Sequence, residues 1–356
     1  MKRVTLLLII TTAAFTTFKA SAQSSLSDLI KSGPADASKL VNAYADPLFK
    51  GFGTGMNSGW NNTAKTKGLL HFDLRISATG AFVPTSDKTF DVTKIGLSNN
   101  VRPADPSQTI SPTIGGDRNN QGPALNIYDN NGRQVEQFNL PSGALSIIPS
   151  PQVQLTIGLP KNTDVTVRAI PSINFGSNAG SVSMIGFGIK HNLMPDFVGN
   201  KVDKLIPFDV AIALGYSRLN TNIALDVKPD DGAQPENGQQ STDFSNQHIE
   251  AHFNSFMVQA IISKQLLFFT PYFAVGYNTA SVNAAVLGNY PVTTGATLTA
   301  QPTYTTFPNP VNIKETTISG MRADLGFQLN LAIFRLYASY SMAKYQSVSA
   351  GIGFGF

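Results

Sequence analysis

From position 68 to the end of the chain, apolar and polar residues alternate one by one. Leu70, Phe72, Leu74, Ile76 and Ala78 interleave with His71, Asp73, Arg75 and Ser77. Val153, Leu155, Ile157 and Leu159 interleave with Gln152, Gln154, Thr156 and Gly158, and Phe334, Leu336, Ala338 and Tyr340 with Arg335, Tyr337, Ser339 and Ser341. A period of two puts the two sets on opposite faces of a strand. The pattern predicts strands near 68–83, 150–159, 163–174, 181–191, 206–224, 247–264, 267–280, 312–331, 332–344 and 347–356. Short connections at 160–162 and near Gln265 fall on one side. Long ones at 84–149, 225–246 and 281–311 fall on the other, and 192–205 is a longer link with a short helix. In 247–264 the apolar phase slips from Ile249, Ala251 and Phe253 to Phe256, Val258, Ala260 and Ile262, which predicts a bulge at Asn254-Ser255. The 84–149 stretch is too long for plain loop. It is expected to hold a strand at 88–97 and a hairpin of 125–128 with 134–138, turning at Asp129-Asn130-Asn131-Gly132. These extra strands set a range of ten to fourteen.

The polar face of the strands decides the fold class. A soluble sandwich turns Lys and Glu to water, and its strands average about 5–6 residues. Here the strands are longer, and the polar face is Gly, Ser, Gln and Asn with a few Arg and Asp. That is the composition of a barrel lumen with lipid on the other side. The expected fold is an all-β, antiparallel transmembrane β-barrel over 68–356, preceded by a helical segment over 23–67 at or inside the periplasmic end. A first turn begins at 25–28. A second helix begins at Pro34 and carries Leu40, Val41, Tyr44, Leu48 and Phe49 as an apolar stripe; the Gly51–Gly55 run is expected to end it. That stripe either plugs the lumen, or packs the periplasmic mouth or joins a partner.

Composition narrows the setting. Charged residues make up only 13% of the 356, against about 25% in an average soluble domain. Residues 1–22 read as a signal peptide, with basic Lys2 and Arg3, an apolar stretch, and Ala20-Ser21-Ala22 as the cleavage site. Without Lys2, Arg3 and Lys19 the net charge falls from +4 to 4 − 3 = +1, and no basic patch suggests nucleic acid. The chain contains 0 Cys, which removes disulfides and thiolate chemistry.

The end of the chain, with Ile352, Phe354 and terminal Phe356 at alternate positions, resembles the C-terminal assembly signal of outer-membrane barrels, which implies recognition by the barrel-insertion machinery through strand pairing. Pro47-Leu48-Phe49-Lys50-Gly51-Phe52-Gly53 with Asn57-Ser58-Gly59-Trp60-Asn61-Asn62-Thr63-Ala64, and Gly186-Phe187-Gly188-Ile189-Lys190-His191-Asn192 with Leu205-Ile206-Pro207-Phe208-Asp209, resemble an exported family of Bacteroidota with no assigned function. More distantly, a helical segment ahead of the strands is similar to the long-chain fatty acid outer-membrane transporter family, which implies a lumen plug.

Asp73, Arg75, Arg168, Asp209, Arg322, Asp324 and Arg335 fall on the expected inner face, either as a network filling a narrow barrel or as a charge filter. His248, Glu250 and His252 share a strand face and are expected to be rim residues rather than metal ligands; His252 and Ser255 fall on opposite faces unless the bulge rotates them together, and an outer-membrane lipid hydrolase built on them is the weakest alternative. Gly51, Gly53 and Gly55 lack the context of a phosphate loop. The expectation is therefore a non-enzymatic outer-membrane channel or transporter for small, hydrophobic molecules, without a cofactor and with outer-membrane lipid around it. A structural or adaptor barrel in a larger envelope complex is the alternative.

Overall fold

A computed structural model describes residues 29–129, 131–174, 180–199, 206–296 and 301–355. The expected signal peptide, the expected turn at 25–28 and Phe356 lie outside the described residues. Ten antiparallel strands form the wall: β1 (Phe72–Phe82), β2 (Ile147–Leu159), β3 (Thr163–Asn174), β4 (Ser181–Asn192), β5 (Asp209–Ala224), β6 (His248–Ser263), β7 (Phe269–Leu287), β8 (Val311–Leu331), β9 (Phe334–Met342) and β10 (Ser347–Gly355). Each pairs with its neighbours in sequence, and β1 pairs with β10 from Asp73↔Gly355 to Ala81↔Ser347, closing the barrel. Leu74, Ile76, Val153, Leu155, Phe187, Leu214 and Phe273 point outward, 37–54% exposed, while Gln152, Gln154, Arg168 and Arg322 are buried inside. The apolar face is therefore the outer one.

Tight turns join β2 to β3, β6 to β7 and β8 to β9. Lys161 and Asn162, in the three-residue connection 160–162, both have positive φ (59° and 52°), the left-handed backbone of a tight hairpin turn. The longer β4–β5 link at this short-turn end carries helix α2 (Met194–Val198). At the opposite, long-loop end the connections build sheets of their own. Val101–Pro103, Ala124–Tyr128 and Gln134–Asn139 form one, Thr89–Asp91 and Ile110–Pro112 a second, and Gln234–Pro235, Pro302–Pro308 and Asn289–Ala296 a third. The expected hairpin is present, but it and the short strand at Thr89–Asp91 stay out of the wall, so the barrel has ten strands and not more.

Two expectations about the wall need correction. Pairing of β6 with β5 and β7 runs unbroken through Asn254 and Ser255, so there is no bulge there. The apolar residues change face because the lumen changes chemistry: near the long loops Ala251 and Phe253 are buried inward, and lower down Phe256 and Ile262 face out. For the same reason β7 continues to Leu287, with Val282, Ala284 and Val286 buried inward where a loop was expected. The register shift occurs instead at Ala280/Ser281, opposite β8.

Helix α1 (Pro34–Asn57) occupies the lumen. Ten strands about 4.8 Å apart, tilted by about 40°, enclose a backbone circle about 20 Å across, and a helix with its side chains is about 10–12 Å wide. One helix fits if the wall it touches is made of small residues. The helix lies in the half near the long loops rather than at the opposite mouth, with Lys31 beside Asp230 and Glu136 and Ser38 Oγ beside Pro310 O. It also runs through the glycines expected to stop it. A Cβ on Gly51 would lie 2.4 Å from Ile148, one on Gly53 2.7 Å from Ala280, and one on Gly55 2.4 Å from Ser150. These glycines allow close contact with the wall; they are not a helix stop.

Candidate functional site

The stripe on α1 meets an apolar collar. Leu40, Val41, Tyr44 and Phe49 are buried with Phe253, Val282, Val286, Val311 and Ile313, and Phe49 and Phe52 set their rings 6.0 and 5.6 Å from Phe253. Leu48 is half-buried against Val83, Ile148 and Tyr345. Lys50 bonds Asp46 and, at 3.0 Å, Asp87, which also accepts from Tyr345 Oη at 2.8 Å. Burial raises the Asp87 carboxyl, but the bonds from Lys50, Tyr345 and Ser86 outweigh it and hold it below the usual carboxylate range. This cluster ties helix, loops and the β9–β10 turn together.

After Asn57 the chain continues, extended, along the rest of the lumen. Four cations on the wall hold it by its main chain. A helix leaves its last four carbonyls without partners and carries partial negative charge there, and α1 has no basic residue in its last turn; the barrel supplies the cations. Arg168 donates to Met56 O at 2.9 Å and Ser58 O at 3.1 Å. Arg322 donates to Asn57 O at 2.7 Å and, with Nε and Nη2, to Asp324 at 3.0 and 2.6 Å. Gln152 takes Gly55 O at 2.7 Å and Ser58 Oγ takes Thr54 O at 2.8 Å. Lower down, Arg75 donates to Gly59 O and, at 3.0 Å, to Trp60 O. Lys190 donates to Thr63 O at 3.1 Å and Lys65 O at 2.8 Å, with Asp164 3.0 Å away. Thr63 Oγ1 lies 3.1 Å from Ser263 Oγ at the short-turn end.

Trp60 is the wedge at mid-lumen. Positions Gly186, Gly188 and Gly215 would each drive a Cβ to within 3.2 Å of its indole or closer, and Arg168 covers its other face with Cζ 3.9 Å from the ring centroid.

The seven expected inner-face residues all lie on that face, six in two groups and Asp209 apart. Arg75, Arg168, Arg322 and Asp324 grip the threaded segment or the residues that grip it. Asp73 joins Arg335 and accepts from Tyr337 Oη at 2.9 Å, while Arg75 lies 5.0 Å over the Tyr337 ring. Asp209 stands apart at the short-turn rim, accepting from Asn192 at 2.9 Å. Ile352 and Phe354 face outward, with the Phe354 ring 6.2 Å from those of Phe72 and Phe334. Lys190, Trp60, Tyr337, Gln152 and Gln154 were not expected in the site. Lys190 is in phase with Gly186 and Gly188, and that phase was its only signal. His252 Nε2 lies 3.2 Å from Glu250 on the half-exposed outer face, and Ser255 is buried on the other face. Among the described residues no three His, Asp or Glu side chains gather as a metal site.

At each mouth a recess remains. One of about 370 Å³ lies between α1 and the β1–β2 loop, lined by Lys39, Asn42, Asp46, Asp87, Phe90 and Ile95 among others. The other, about 210 Å³, opens at the short-turn mouth.

Residues 1–356 match one family model, described as a family of unknown function (DUF6588). No curated protein matches the chain. Solved structures with similar barrels include the attachment invasion locus protein Ail of Yersinia pestis, 8% identical, covering 81% of this chain and 100% of that one with a TM-score of 0.26. The outer membrane protease OmpT from Escherichia coli is 11% identical, covering 83% and 100% with a TM-score of 0.33. The toluene transporter TbuX of Ralstonia pickettii is 10% identical, covering 87% and 97% with a TM-score of 0.25.

Proposed function

The chain belongs to this family of unknown function, DUF6588, and from its own geometry we propose that it is an outer-membrane barrel controlling the passage of small molecules, with residues 29–67 as the gate. The outward apolar belt supports a lipid surround; the side with tight turns then faces the periplasm and the long loops face outside. The observation that carries the gating reading is the division of labour in the lumen. Small barrels fill themselves with wall side chains. Here much of the wall beside Trp60 and Ala64 is Gly186, Gly188, Ala211, Ala213, Gly215 and Ala274, and a separate stretch of chain supplies bulk that these positions lack. Taking that stretch away leaves a water-filled bore. Both recesses are lined mainly by polar side chains, which favours polar solutes over the hydrophobic ones expected from sequence.

Deleting residues 24–60 tests this in planar bilayers. The intact protein should show little conductance and the deletion a stable pore; equal conductance sinks the reading. A structural or adaptor role draws support from the ordered sheets of the long loops, and a stoichiometric co-purifying partner would favour it.

A further inference from the structure

The short-turn recess has a lining of one sign. Lys65, Lys67 and Arg335 surround it, with His71, Gln265 and Thr270 among its other polar neighbours, and no carboxylate is among its lining residues. Most of these cations are engaged elsewhere. Lys65 Nζ donates to Gln265 at 2.8 Å, and Arg335 is bound to Asp73. Lys67 differs. Its side chain is only 14% exposed, and its ammonium makes no hydrogen bond among the described residues; its ion-pair contact there is Asp73 Oδ2 at 3.9 Å, beyond bonding reach. Its backbone is pinned at the mouth, the N–H donating to Asp164 at 2.8 Å. Burial pushes the amine down to about 8, and Arg335 and Lys190 push the same way against Asp73 and Asp164. A buried charged group ordinarily has a partner. Asp73 is shared among Lys67, Arg335 and Tyr337 and supplies too little.

We propose that this recess is a binding site for a small doubly charged oxyanion of the sulfate or phosphate class, with Lys67 as its principal ligand and Lys65 and Arg335 flanking. Three NH-bearing groups converge on a volume of about 210 Å³, suited to a tetrahedral anion and too small for a lipid. The recess opens into the lumen mouth and not onto the apolar belt, so the ligand is a free solute. Charge-assisted bonds from ammonium and guanidinium groups are the strong ones for such oxygens. Binding is independent of any opening of the lumen, since the site is complete with the segment in place; it stands even if the deletion above gives no pore.

The test is calorimetric titration of the protein, folded in detergent, with sodium sulfate. Sulfate keeps its double charge from pH 7 to pH 9, so any change over that range comes from the protein. Saturable binding is expected at pH 7, weaker at pH 9 as Lys67 loses its proton. Lys67→Gln should bind about tenfold more weakly, the loss of about 1.4 kcal/mol, and should show much less pH dependence over the interval. Lys65→Gln, which removes an ammonium bonded to Gln265, should also weaken binding and serves if Lys67→Gln fails to fold. Lys161→Gln, on the β2–β3 turn, should bind as the parent does. Absence of saturable binding overturns the proposal, and so does an equal effect of all three substitutions.

Discussion

Arg168 lies across the face of Trp60, its Cζ 3.9 Å from the ring centroid, while its two terminal nitrogens hold Met56 O and Ser58 O. The residue is fully buried and no carboxylate is among its hydrogen-bond partners; carbonyl dipoles, Gln154 and the indole face stabilise its charge. Arg168→Gln would leave helix-end carbonyls unbonded in a dry lumen. The expected cost is about 2–4 kcal/mol. Because Trp60 is the single tryptophan, the same variant should red-shift its emission as water reaches the ring. Urea unfolding followed by fluorescence checks both, and an unshifted spectrum with unchanged stability would show that the stack holds nothing.

The contact between Gly55 and Ser150 gives a compensating pair. Ala is the better helix former by about 1 kcal/mol, yet Gly55→Ala puts a methyl 2.4 Å from Ser150 Cβ, and overpacking typically costs about 1–3 kcal/mol. Gly55→Ala should therefore destabilise the folded barrel, and adding Ser150→Gly, which removes the opposing Cβ, should recover part of the loss. A double-mutant cycle on the urea midpoint measures the coupling. Simple additivity of the two changes would contradict the close approach.

Lys67 predicts an unusual pH profile. Its folded-state value, about 8, lies below the ordinary lysine range. The unfolded chain therefore holds the proton more tightly. Folding is penalised while both states are protonated, below about pH 8, and the penalty is relieved as pH rises from about 8 toward about 10.5. In anion-free buffer the unfolding free energy of the parent should gain over that of Lys67→Gln across this window. Parallel profiles would remove the buried ammonium from the account.

The wall of this barrel was legible from alternation because lipid imposes one chemistry on every outward position: Leu74, Val153, Phe187 and Phe273 all obey it. The lumen follows no such single rule. Around α1 the inner wall is apolar, so Phe253, Val282 and Val286 face inward, and the reversal looked like a bulge in β6 and a loop after residue 280. Only the presence of the helix makes sense of it. Gly51, Gly53 and Gly55 were misleading for a related reason. Glycine reads locally as a stop, while its use here, letting α1 lie against Ile148 and Ser150, depends on residues about 100 positions away. Likewise the strands at 101–103, 124–128 and 134–139 resemble wall strands but pair with one another. Inner-face charges were found by phase, but their common target was not. Main-chain carbonyls leave no mark in a sequence, although three in-phase glycines at 186, 188 and 215 do hint at a bulky neighbour such as Trp60.

The route of residues 29–67 also constrains biogenesis. A chain that enters β1 at one mouth while its earlier part lies at the other runs lengthwise through the ring. The seam between β1 and β10 is formed by the first and last strands to be synthesised, so every other strand can pair while that seam stays open. Sealing it around a leader already laid inside needs no translocation of a preformed helix through a finished bore. Mutations that slow the docking of the leader should then accumulate an unsealed, protease-sensitive ring during insertion.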